Sequence, residues 1–88
     1  MEDKMEIKVG KVTHYYSKIG VAIVEITDES LNVGDTIHIK GHSTDFTQTV
    51  DSMQIEHQPI NKAEVGNTIG LKVKDKCREG DIVYKVLP

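Results

Sequence analysis

One cysteine, Cys77, stands alone in the 88 residues, so the chain cannot form a disulfide within itself. A lone thiol suits a reducing compartment better than a stapled secreted fold. Long apolar runs are missing too. The longest, "IGVAIVEI" from Ile19 to Ile26, falls far short of the roughly 20 residues that a membrane-spanning helix needs, and Glu25 breaks it. The opening "MEDKMEIK" is acidic and lacks the apolar stretch of a signal peptide. Together these absences predict a cytoplasmic protein with no membrane association. Positive charge is not in excess either: 11 Lys and Arg stand against 14 Asp and Glu, a formal net charge of −3. That argues against a surface that grips nucleic acid all over, but leaves room for one local basic face. No window holds a helical period, and no GxxxxGK[ST] phosphate loop occurs, so this chain alone is not expected to bind GTP. No cofactor is expected. The length allows a single domain, read as a short tail over 1–5 and a β-domain over 6–88.

What is present is alternation. "EIKVGKVTHYY" sets Ile7 and Val9 on one face, and the phase then slips at Gly10 so that Val12 continues the series. One extra residue at a glycine marks a β-bulge. "SKIG" reads as a hairpin turn and "VAIVEIT" as a strand apolar on both faces, with Val21 and Ile23 outward if Ala22, Val24 and Ile26 face in. "TIHIK" points Ile37 and Ile39 inward and His38 outward. "FTQTVDSMQIEHQPI" reads as one long strand with a second bulge at Asp51–Ser52, ended by Pro59, which has no N–H to donate. "TIGLKVK" opposes Ile69, Leu71 and Val73 to Lys72 and Lys74, and "IVYKVL" closes the chain. Six strands, short connections and two bulges predict an all-β fold, a small six-stranded antiparallel barrel, with a two-sheet sandwich as the alternative. Its inward set is Ile7, Val9, Val12, Val24, Ile26, Ile37, Ile39, Val50, Met53, Ile55, Ile69, Leu71, Val73, Ile82 and Tyr84.

One phrase recurs: "NVGDTIHI" from Asn32, "EVGNTIGL" from Glu64 and, more loosely, "REGDIVYKV" from Arg78. A tandem duplication would repeat the whole unit, yet the residues between the copies do not match. In each copy a glycine is followed by Asp35, Asn67 or Asp81 and then by an alternating strand. Glycine accepts positive φ, and Asp or Asn can hydrogen-bond the local backbone, so the phrase reads as punctuation that starts a strand.

The order of these phrases resembles the second domain of translational GTPases of the elongation factor Tu type. The residues that carry the likeness are Val33, Gly34 and Asp35; Val50, Ser52 and Met53; Ala63, Gly66 and Gly70; and Arg78, Gly80 and Asp81. It runs from about residue 7 to residue 87 and implies a Greek-key barrel. It also implies contact with RNA or a ribosome-associated protein, through positions matched here by Gln54, Glu56, Asn67 and Thr68. A similar barrel occurs as an accessory C-terminal domain of collagenase-like peptidases, which "VGKV" at Val9–Val12 resembles and which implies a docking module.

Candidate chemistry is sparse. His38 and His42 straddle a strand end and a glycine turn, so no helix gathers them, and His14 and His57 lie far off in sequence. Cys77 stands beside Lys76 and Arg78, charges that could lower a thiol pKa, but with no base partner or second cysteine near it reads as an ordinary reduced thiol. Asp28, Glu29 and Asp35 flank one loop, where acids usually serve to solvate it. Lys72, Lys74, Lys76 and Arg78 form a basic series at two-residue spacing, suited to phosphates or to guarding an edge strand. Tyr15 or Tyr16 could stack on bases, though alternation leaves only one of them outward. The first reading is therefore a non-catalytic, translation-associated module that contacts RNA through Lys72–Arg78 with Gln54 and Thr68. The alternative is a protein-interaction module that docks on a peptidase or other enzyme through Val21 and Ile23.

Overall fold

The computed structural model describes residues 5–88, and all regular structure in that span is β. Ten strands follow one another: β1 (Met5–Tyr16), β2 (Val21–Ile26), β3 (Leu31–Asn32), β4 (Thr36–Lys40), β5 (Asp45–Thr49), β6 (Met53–Ile55), β7 (Gln58–Ile60), β8 (Lys62–Ala63), β9 (Thr68–Lys72) and β10 (Ile82–Leu87). β3 and β8 pair with each other, and the other eight form one sheet in the order β5-β4-β10-β1-β2-β9-β6-β7. Every pairing is antiparallel. Of the expected tail, residues 1–4 lie outside the described residues, and Met5 already pairs with Leu87.

β5 and β6 are parted only by Val50–Ser52, yet β5 pairs with β4 and β6 with β9. One bent segment thus reaches both flanks of the sheet and curls it into a barrel. The seam is sewn with few bonds. The Lys72 N–H donates to the Ser52 carbonyl at 3.3 Å. Gln48 bridges the rest: its Nε2 donates to the Lys72 carbonyl at 3.0 Å, and its Oε1 accepts the Lys74 N–H at 2.8 Å. The Gln48 amide stands in for a peptide group that the bent backbone cannot offer.

The bulge predicted at Gly10 is present, as a register shift between Lys8 and Gly10 in the β1–β10 pairing. Gly10 is also tight against β2: a Cβ there would lie 1.9 Å from the Glu25 carbonyl oxygen. A second shift, not foreseen, falls between Val12 and His14 opposite β2. The slip at Asp51–Ser52 is not a bulge inside a ladder but the bend that separates β5 from β6. The long run over 46–60 ends differently from the sequence expectation. Glu56 and His57, at φ 50° and 68°, make a two-residue turn that pairs Ile55 with Gln58. Pro59 does not stop the ladder; it sits opposite Gln54 in β7, at the end of the sheet, where a missing donor faces no partner strand.

The core holds Val9, Val12, Val24, Ile26, Ile37, Ile39, Val50, Met53, Ile69, Leu71 and Val73 as expected, joined by Ala22, Leu31, Ala63, Cys77 and Val83. Ile7, Ile55, Ile82 and Tyr84 are only partly buried. On β10 the cause is a phase error of one residue, which turns a strand over. Asp81 points inward and is 4% exposed, so Val83 follows it into the core and Ile82 and Tyr84 lie on the other face.

The repeated phrase is one turn built three times. Gly34, Gly66 and Gly80 have φ of 98°, 101° and 96°. Around them Asp35, Asn67 and Asp81 donate their N–H to the carbonyls of Asn32, Glu64 and Arg78 at 3.0, 2.9 and 3.0 Å. Their side chains accept in return from the N–H of those same residues, at 2.8, 2.8 and 2.7 Å. Each turn is thereby closed by two reciprocal bonds across a glycine that alone tolerates the required φ. The third clasp sits against β4: a Cβ on Gly41 would lie 1.9 Å from Asp81 Oδ1, so a glycine is needed there as well.

Asp81→Ala removes the charged acceptor of the part-buried bond from the Arg78 N–H and is expected to lower the unfolding free energy by about 1–3 kcal/mol, whereas Asp81→Asn, which keeps an acceptor, loses less. Urea unfolding measures both, and equal losses would remove the clasp as the cause. Gln48→Ala is expected to cost a comparable amount, about 1–3 kcal/mol, by opening two seam bonds, and Gln48→Glu less because the bond from Lys74 survives.

Candidate functional site

β2 alternates about a buried inner row of Ala22, Val24 and Ile26, so Val21 and Ile23 face out, as expected from the sequence. β9 runs beside it, with Val21 opposite Lys72, Ile23 opposite Gly70 and Glu25 opposite Thr68. β6 lies beyond, where Gln54 pairs with Gly70. The missing side chain at Gly70 makes a shallow floor. A Cβ there would touch Gln54 Cγ at 3.4 Å and Val21 Cγ1 at 3.5 Å. Tyr16 and Ile19 rise at one end from the β1–β2 hairpin, 48% and 59% exposed. Glu56 and His57 stand at the other, on the β6–β7 turn. Between them lies an open groove of about 440 Å³ with an apolar floor and a polar rim of Gln54, Thr68, Glu56 and His57.

The structure therefore unites two sets that the sequence assigned to different roles: Val21 and Ile23, and Gln54 and Thr68. It does not bring the basic series to them as a stripe. β9 ends at Lys72, so the two-residue period that would align Lys74, Lys76 and Arg78 stops there. The Lys72 ammonium folds back to donate to the Ile19 carbonyl at 3.2 Å. Lys72 and Lys74 line one depression with Asp51, and Lys76 and Arg78 another with Asp45 and Asp75. Each pair of bases has acids beside it. Of the two tyrosines, Tyr15 packs on the core and Tyr16 is the outward one.

Burial raises the Cys77 thiol to about 11, with the Asp81 charge adding to the effect. Lys76 and Arg78, its neighbours in sequence, do not lower it. The thiol is 3% exposed, inside the core, while its basic neighbours point to solvent. The loop acids do more than meet solvent. Asp28 lies 3.9 Å from the Lys8 ammonium, and the largely covered Lys85 ammonium lies 4.0 Å from Glu29 and 3.5 Å from Asp35. Among the described residues no three His, Cys, Asp or Glu side chains gather as a metal site. The groove offers apolar contact with a few hydrogen-bonding groups at its edge, which is chemistry for binding a surface. Sequence reasoning found Val21 and Ile23 by alternation. It missed Tyr16, Ile19 and Gly70 as their neighbours, since only the β2–β9–β6 pairing brings them together.

No protein-family model matches the chain. Over 80 residues, 90% of its length, it is 40% identical to an uncharacterized protease of Methanocaldococcus jannaschii. Over 83 residues, 93% of its length, it is 39% identical to a collagenase of Porphyromonas gingivalis. It spans only 19% and 20% of those two proteins. Its fold is similar to that of the C-terminal domain of a Geobacillus thermoleovorans protein described as a U32 peptidase, with a TM-score of 0.82, 23% identity and 91% of each chain covered. The likeness is to a barrel carried by peptidases. GDP-bound aIF5B from Aeropyrum pernix shares the fold more distantly, with a TM-score of 0.65 and 13% identity over 97% of this chain and 15% of that one. The resemblance to translational GTPases therefore extends to the fold and no further. The translation-associated, RNA- or ribosome-contacting reading is overturned, because the sequence likeness lies with a protease and collagenases. The nucleic-acid role given to Lys72, Lys74, Lys76, Arg78, Gln54 and Thr68 loses the footing it had.

The position of Cys77 has a measurable consequence. With its pKa near 11, about one thiol in a thousand is ionised at pH 8, against about one in ten at the ordinary 9.0. Alkylation of the folded chain by iodoacetamide at pH 8 is expected to run about a hundredfold slower than in urea. Equal rates in the two conditions would show the thiol to be accessible.

Proposed function

We propose that this chain is a non-catalytic accessory barrel that docks on the body of a peptidase, with the groove around Val21 and Ile23 as the contact surface. The observation that carries this reading is the 40% identity, over nine-tenths of the chain, to about a fifth of a protease. The remaining four-fifths of that protein has no counterpart here, so a barrel of this kind has a larger body to lie against. The fold likeness to a peptidase C-terminal domain supports the same relation.

The chemistry of the groove suits docking. Protein interfaces draw most of their energy from a few apolar or aromatic side chains surrounded by polar groups that exclude water. Tyr16, Ile19, Val21 and Ile23 supply the first kind, and Gln54, Thr68, Glu56 and His57 the second. The one thiol of the chain is walled into the core, away from the groove. Catalysis falls to the partner.

The test uses the M. jannaschii protease and the P. gingivalis collagenase, each without its matching fifth, titrated calorimetrically with the intact chain. Val21→Asp places a charge in the apolar floor and is expected to weaken binding at least tenfold, about 1.4 kcal/mol. The pair Lys74→Glu and Arg78→Glu, whose side chains line other depressions, is expected to stay within about twofold of the unaltered chain, since remote charges change affinity little. Failure of the folded, unaltered chain to bind either body overturns the proposal.

A further inference from the structure

His38 lies outside the groove, on the outward face of β4, and its ring is held at both ends. Nδ1 lies 3.1 and 2.9 Å from the two carboxylate oxygens of Glu6 on β1. Nε2 is hydrogen-bonded to Oδ1 of Asp45 at the start of β5. A neutral imidazole carries one N–H, so it can satisfy only one of two acceptor-only carboxylates, and the other would face a lone pair. The imidazolium carries two and satisfies both. The His38 side chain is 16% exposed, while Glu6 and Asp45 are 35% and 69% exposed and keep contact with solvent.

The location gives this cluster its significance. β5 leads into the bend through which the sheet closes, and its flank away from β4 is held mainly by the Gln48 amide. Asp45 is the first residue of β5, paired with Lys40 at the far end of the β4–β5 ladder. We propose that Glu6, His38 and Asp45 form a proton-gated clamp on the barrel seam: protonated His38 ties β5 and the start of β1 to β4, and loss of that proton frees β5.

The charged and titratable groups around the ring are Glu6 and Lys8 on β1, Lys40 on β4, Asp45 on β5 and Tyr84 on β10, whose ring centroid is 6.3 Å away. The two carboxylates dominate. The hydrogen bond to Asp45, followed by that to Glu6 and the charges of both, raises His38 above its ordinary 6.5 despite the opposing effect of burial. The same pairing lowers Asp45. For a group raised on folding, the added stability is complete below the ordinary value. It is lost as the pH climbs through the raised one.

Two measurements on the intact chain test the clamp. NMR titration of the His38 ring is expected to give a midpoint above the ordinary 6.5, and the double variant Glu6→Gln with Asp45→Asn is expected to lower it. Hydrogen exchange is expected to show protection of the Phe46–Thr49 amides falling about tenfold between about pH 5.5 and about pH 8.5, after correction for intrinsic rates, while β1–β2 amides hold theirs. If the His38 midpoint is not raised above the ordinary 6.5, or if β5 protection in the unaltered chain stays constant across that midpoint, the clamp is overturned. The second result stands even if the double variant fails to fold.

Discussion

An oxygen that reaches back three residues to a backbone N–H, across a glycine with positive φ, decides where β4, β9 and β10 begin. Asn67 does the same work as Asp35 and Asp81, so the requirement is for an acceptor at that position and not for a charge. Starting a strand at the wrong residue would turn its side chains over, because the faces of a strand alternate. Each clasp thus fixes a register as well as a turn. The clasps are tied to their neighbours in turn: Lys85 from β10 reaches Asp35, and Asp81 fills the space that Gly41 leaves beyond β4.

With the strands so placed, closure falls to the segment from Asp45 to Ile55, which must serve two partners on opposite flanks. It does so by bending at Val50–Ser52 and by lending a side-chain amide, that of Gln48, to bridge the gap. The interior that results is packed with branched side chains, and the depressions of the barrel lie on its outside. A barrel of this size works with its surface.

Much of this was legible in the residues, and the failures share a cause. Alternation in "VAIVEI" assigns both faces of β2, and the slip at Gly10 marks a real bulge. The repeated phrase was open to reading because glycine and Asp or Asn name their own conformations. The turn at Glu56–His57 was not, since it uses two left-handed residues that are not glycine, and nothing in "QIEHQPI" announces it. β10 was read one residue out of phase because an aspartate was not expected in the core; its inward position follows from the clasp and not from hydropathy. The basic series was misread for want of a strand end at Lys72. At Cys77 burial and Asp81 set the pKa, and the basic residues beside it in sequence do not. Each error concerns a side chain whose direction is set by a tertiary bond.

The same distinction accounts for the functional misreading. The residues that resemble translational GTPases include Gly34 and Asp35, Gly66, and Gly80 and Asp81, which are members of the three clasps, together with Met53, which is buried in the core. Such residues report how a chain makes this barrel, so any two families that use the barrel will share them whatever they do with it. Residues that could separate one use from another must lie where the fold makes no demand. Val21, Ile23, Tyr16 and Ile19 meet that condition: no clasp, bulge or seam bond uses their side chains, yet all are apolar and all open on one groove. Apolar side chains at outward positions that the fold does not require are where a use of the barrel can be written, and here their groove is not lined by Lys74, Lys76 or Arg78.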